Sequence, residues 1–142
     1  MINKEEVRFN NLVEILTNRA DTMIPLPTGV YGYINEIRTD KFQIRLKNKV
    51  SEKEHLFSRK FESVRPIKLT EEWLINFGFE KQMEWTYKIP IKGNNFLVYY
   101  IGEKGWSIGN KNYSDFECIY VHQLQNLYFA LTGVELELSS NN

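Results

Sequence analysis

The sequence predicts an α+β chain that is mainly antiparallel β. Three observations carry that expectation. Phe42, Ile44 and Leu46 alternate with Lys41, Gln43, Arg45 and Lys47, the period-two pattern of a strand with one face inward and one in water. Short β-rich runs recur between turn signals. Helix signals are concentrated in two later stretches, around Thr70–Gly78 and Val121–Gly133. The chain has 142 residues, of which 42% are hydrophobic and 14% aromatic, enough to build a core for one domain or two small ones in contact.

The first segment admits two readings. Val7, Leu12, Ile15 and Leu16 line one face of a helix over residues 4 to 20; alternatively, Val7 to Leu16 is a strand with a turn at Asn10-Asn11, a pair that tolerates left-handed backbone angles. Met23 to Gly29 is a loop punctuated by Pro25, Pro27 and Gly29, and Val30 to Ile37 is β-rich. Thr39-Asp40 turns into the alternating strand, Asn48 to Glu54 is a polar turn, and His55 to Val64 reads as a further strand. This spacing predicts a small barrel of the Src-homology-3 kind over residues 1–68.

Residues 69–142 form the second part. Thr70 is a suitable N-cap, Glu71 and Glu72 suit the positive end of a helix dipole, and Leu69 staples onto Leu74. Trp73, Leu74 and Phe77 are the expected buried residues, and Gly78 closes the helix. Strands follow at Trp85–Ile91, Phe96–Ile101, Trp106–Ile108 and Phe116–Tyr120, with turns at Lys92–Asn95 and Glu103–Gly105 and a loop from Gly109 to Asp115. Val121 to Thr132 is the stronger helix, with Leu124, Leu127, Tyr128 and Leu131 as its apolar stripe and Gly133 at its end. Val134, Leu136 and Leu138 alternate with Glu135 and Glu137 as a last strand. The expected second unit is an antiparallel sheet with this helix packed on it, joined to the barrel by the short helix.

Two segments carry a resemblance. Arg65-Pro66-Ile67-Lys68-Leu69-Thr70-Glu71-Glu72-Trp73-Leu74, continuing to Phe77-Gly78-Phe79, resembles a PIPLTEEWLLKFGF block. Val121 to Gly133, ending in Glu135-Leu136, resembles a YVHQLQNLYFALTGEEL block. Both mark a family of small uncharacterised proteins of Bacteroidetes phages, prophages and mobile elements. Val7 to Val13 is similar to that family's LRIGNLV opening, with Asn10 where glycine is usual. The resemblance supports the strand reading of residues 7–16 and supplies no activity.

Several functions are excluded or disfavoured. Cys118 is the single cysteine, so neither an intramolecular disulfide nor a zinc site with several thiolates can form. The start, Met1 to Glu6, does not read as a signal peptide, and no apolar run approaches the roughly 20 residues that span a bilayer. A soluble protein of a reducing bacterial cytoplasm, off the membrane, is the expectation. Phosphate-loop, dinucleotide, nucleophile-elbow and HExxH motifs are all missing. A non-catalytic protein without cofactor or metal is therefore expected.

The two histidines differ. His55 lies in a charged surface stretch. His122 opens the long helix with Gln125 and Asn126 one turn on and Phe129 two turns on; the polar side chains His122, Gln125 and Asn126 are either a recognition patch or partners for nearby backbone groups. Cys118, in a stretch with Phe116, Ile119 and Tyr120, reads as a small core residue.

Charge is the more informative signal. The formal net charge is zero, yet residues 1–68 carry thirteen basic and nine acidic side chains, and residues 69–142 five and nine. Lys41, Arg45 and Lys47 share one solvent face of a strand, and Arg59 belongs to the same basic stretch, residues 38–68. Such a face suits a polyanion or phosphorylated ligand; the alternative is a solvated strand edge. The expected function is binding of an anionic ligand, nucleic acid or nucleotide, through Lys41, Arg45, Lys47 and Arg59 and through His122, Gln125 and Asn126. The alternative is a host-directed inhibitor that binds a protein partner, as in anti-defence; a homo-oligomer is compatible with either.

Overall fold

The computed structural model describes residues 2–18, 25–47, 53–93, 95–101, 105–108, 111–112 and 118–139. The chain divides into two compact units, Met1–Ile67 and Lys68–Asn142. Both are built on antiparallel sheets, and one long helix belongs to the second, so the chain is α+β.

The first unit contains β1 (Leu12–Asn18), β2 (Pro25–Ile37), β3 (Lys41–Lys47), β4 (Glu54–Lys60), a 3-10 turn at Phe61–Ser63 and β5 (Val64–Arg65). They form one sheet in the order β4-β3-β2-β1-β5. Among the described residues no ladder joins β4 to β5, so the expected closed barrel is an open five-stranded sheet. That sheet cannot be flat. Its edge strands β4 and β5 are consecutive, separated only by the turn at Phe61–Ser63. Four residue steps reach about 14 Å at most, whereas four inter-strand gaps in a flat sheet span about 19 Å. The sheet therefore curls and brings its edges toward each other.

Curling gives the sheet an inside. Val13, Ile15, Ile34, Phe42, Ile44 and Val64 form the buried cluster there together with Ile2 and Val7, and Leu46, Phe57 and Phe61 pack against it. The Phe42 and Phe61 rings lie 4.6 Å apart between centroids. A Cβ on Gly32 would overlap Cγ2 of Ile44, which explains the missing side chain at that point of β2.

Of the two readings of the first segment the strand holds: β1 starts at Leu12, after a turn in which Asn10 takes the left-handed backbone at φ 72°. Two other expectations for this unit need correction. The expected loop at Met23–Gly29 is strand from Pro25 onward, while Met23 and Ile24 lie outside the described residues. Among the described residues Pro25–Pro27 pair with β1, and pairing with β3 begins at Tyr33, so prolines are tolerated at this edge. The expected strand His55–Val64 breaks at Lys60, where the 3-10 turn lets the chain cross to the other edge.

The second unit contains α1 (Glu71–Asn76), β6 (Glu80–Met83), β7 (Thr86–Pro90), β8 (Phe96–Tyr100), β9 (Gly105–Ile108), β10 (Lys111–Asn112) and α2 (Val121–Thr132). Its sheet is a meander in the order β10-β9-β8-β7-β6. The Thr70 hydroxyl accepts from the Trp73 amide at 3.4 Å and Gly78 takes φ 94°, so α1 starts and stops where its sequence signals lie. Leu69, Leu74 and Phe77 are buried, whereas Trp73 is half-buried. Gly133 closes α2 at φ 73°, its amide donating to Phe129 O.

Elsewhere this unit departs from expectation. Trp85 is a turn residue and not a strand start, and β6 was not foreseen. Lys111–Asn112 form β10 inside the expected Gly109–Asp115 loop. Cys118 and Ile119 are not strand, and Tyr120 makes only an isolated bridge to Lys68; Phe116 and Glu117 lie outside the described residues. Residues 134–138 join no ladder. Leu136 is buried and the Ser139 amide donates to Asn76 O at 2.7 Å, contacts that hold the tail without a sheet.

Candidate functional site

Antiparallel pairing places residues directly opposite each other on the same face. Leu12 is opposite Tyr33, Tyr33 opposite Arg45, and Arg45 opposite Leu56. This row crosses β1 to β4 on the face away from Ile34, Phe42 and Ile44. Lys41 shares the face, opposite Lys60. Arg59 does not: it pairs with Phe42 and so lies on the core side of the edge strand. There its guanidinium sits 4.6 Å over the Phe57 ring and donates to Ser58 O at 3.0 Å. The expected grouping of Arg59 with Lys41 and Arg45 is corrected by that register. Lys47 ends β3, and its side chain lies outside the described residues.

Arg45 is the best-organised cation of the outer face. Its Nη1 donates to Asn35 Oδ1 at 3.2 Å and its Nη2 to Asn10 Oδ1. The guanidinium carbon lies 5.3 Å from the Phe9 ring centroid and 5.2 Å from that of Tyr33, within cation–π range. Among the described residues no carboxylate touches it. Two of five donors are held by neutral amides, which orients the fork without neutralising it.

Two carboxylates of this face are already paired. Arg65 Nε donates to Glu14 Oε1 at 2.5 Å, and the Gly29 amide donates to Glu14 Oε2 at 3.1 Å. Glu36 is held by Arg38 at 3.3 Å. Glu54 stands at the far end, across from Lys47. Lys41 and Lys60 are opposed like charges with no ion pair among the described residues, an arrangement that a bound anion would relieve.

The helix residues are placed differently. His122 and Gln125 are each 1% exposed, and Asn126 is half-buried. The His122 ring stacks on Tyr120 at 5.8 Å and 12°. A ligand at the surface cannot reach His122 or Gln125 while α2 stays in place. Gln123 was not foreseen: its Oε1 accepts from the Ile119 and Tyr120 amides at 2.9 and 3.0 Å and so caps the helix start.

Cys118, the single thiol, is buried. Burial pushes the Cys118 thiol up to about 12, and its carbonyl accepts from the Tyr99 hydroxyl. Among the described residues no three His, Cys, Asp or Glu side chains gather as a metal site, and no helix is long and apolar enough to cross a membrane.

Burial first, then the hydrogen bond with Glu71, raises Tyr87 from 10 to about 12. The folded state thus holds the Tyr87 proton more tightly than the unfolded chain. This contribution to stability is full below about pH 10 and is lost as pH rises toward 12. Chemical denaturation between pH 8 and 12 is expected to show a shallower alkaline decline for Tyr87→Phe than for the unaltered protein. Equal declines would contradict the assignment.

The sequence reading missed Phe9, Asn10, Tyr33, Asn35 and Lys60. The signal for Tyr33 was present, because it alternates with Gly32 and Ile34. Assigning it to the outer face required the register between β2 and β3. No family model, curated protein or solved structure matches the chain.

Proposed function

We propose that this chain is a non-catalytic binding protein of phage or mobile-element kind, and that it holds an anionic ligand, nucleic acid or nucleotide, on the outer face of its first unit. The observation that carries the reading is Arg45: a guanidinium oriented by Asn10 and Asn35, set against Phe9 and Tyr33, with no carboxylate against it among the described residues. Arg65 provides the contrast, since Glu14 already occupies it. The strand order, with a 3-10 turn between β4 and β5, supports a Src-homology-3-like ancestry for the curled sheet. The φ of 72° at Asn10, where the resembling opening has glycine, supports the kinship read from the blocks.

The test is a titration of labelled DNA, RNA and cyclic nucleotides between low and physiological salt. Binding at low salt is expected, with a log–log slope of about −2 to −3 for three phosphate contacts by Lys41, Arg45 and Lys60 on a polymer. Arg45→Glu is expected to weaken binding about 10- to 100-fold, the worth of one charge-assisted contact. Lys60→Glu, at an exposed position, should weaken it with stability changed by less than about 0.5 kcal/mol. No binding at low salt would refute the reading.

A second reading has its own observation. Met83 and Trp85 are 62% and 59% exposed beside the β6–β7 turn, and Trp85 holds φ 67°, a costly backbone for a bulky residue. An exposed tryptophan held in this way suits a protein partner. Capture of a host protein that is lost with Trp85→Ala would favour this second reading.

A further inference from the structure

We propose that the ligand of the Arg45 face is single-stranded nucleic acid, with bases stacked on Phe9 and Tyr31 and phosphates on Arg45, Lys41 and Lys60. This rests on the reading of that face as an anion site. Two features of the face narrow the ligand. The first is where the cations lie. Lys41 and Arg45 are four residues apart on β3, about 13 Å at 3.3 Å per residue. Charges spread along a strand match a polymer with repeated phosphates, whereas a small-molecule site needs polar groups that converge.

The second feature is exposed aromatic surface beside those cations. Phe9 is 53% and Tyr31 40% exposed, and Leu56, opposite Arg45, is 54% exposed. Tyr31 lies across from Glu14 and two residues before Tyr33, so it belongs to the same face. Duplex DNA hides the faces of its bases and would meet the cations while leaving these rings uncovered. Single strands offer both groups at once, unstacked bases for the rings and phosphates for the cations.

The amides of the face indicate how selective the contact is. Asn35 Nδ2 donates to Gln43 Oε1 at 2.7 Å, and Asn35 Oδ1 accepts from Arg45. Side chains that would read base edges are committed to each other. Stacking tolerates any base, so weak sequence preference is expected.

The experiment compares single-stranded DNA, single-stranded RNA and duplex DNA of equal length at low salt, with heparin as a polyanion without bases. The expected result is single-strand affinity at least about tenfold above duplex and above heparin. Phe9→Ala should lower single-strand affinity about 5- to 150-fold while leaving the salt slope unchanged, and Phe9→Trp should retain it. Loss with Phe9→Ala but not with Phe9→Trp separates stacking from a folding defect. The DNA and RNA arms show which strand is preferred. Equal binding of duplex or heparin, or indifference to Phe9→Ala, would overturn the single-strand inference and leave the anionic-ligand reading standing. Absence of all binding would remove both.

Discussion

Phe42→Ala is expected to destabilise the first unit by about 3–5 kcal/mol, because the ring is fully buried and its removal leaves a cavity as well as lost transfer energy. Phe42 packs in the cluster with Ile34, Ile44 and Val64 and lies against Phe61, the 3-10 turn that carries the chain between the sheet edges. The effect therefore reaches the curl of the sheet. It also bears on function, since Phe42 and Arg45 are three residues apart on a strand and must point to opposite faces. Equilibrium denaturation is the measurement. A cost below about 1 kcal/mol would mean that Phe42 is not inside and would undo the assignment of Arg45 to the outer face.

In the second unit, Leu124→Ala is expected to cost about 2–5 kcal/mol, and Leu127→Ala less, because Leu124 is fully buried and Leu127 only half-buried. Equal costs would contradict the placement of α2. The apolar stripe in the sequence pointed to Leu124, Leu127, Tyr128 and Leu131 as one face. The buried residues are Val121, His122, Leu124 and Gln125. The helix is most deeply inserted at its first turns, where two polar side chains occupy core positions that a hydrophobicity pattern cannot reveal.

Local signals were legible and long-range pairings were not. Thr70, Gly78 and Gly133 marked helix ends correctly, because caps depend on a few adjacent residues. The alternation of Phe42 and Ile44 with Lys41 and Arg45 gave the two faces of β3 for the same reason. Arg59 was misplaced because its side depends on register with β3, and a shift of one residue would have turned it to the outer face. Asn10 and Arg45 are thirty-five residues apart in sequence, so the amide that orients the guanidinium had no local signature. The strand character of Pro25–Gly29 was hidden by prolines that an edge tolerates.

The proposed binding surface is the outer face around Arg45. Backbone-amide NMR of the isotopically labelled full chain, titrated with a single-stranded oligonucleotide at low salt, is the decisive measurement. The predicted result is chemical-shift change concentrated at residues 9–11, 31–35, 41–45 and 56–60, with the Arg45 side-chain resonances among the most affected. Changes confined to α2 or to the Met83–Trp85 turn, or no change at all, would contradict it.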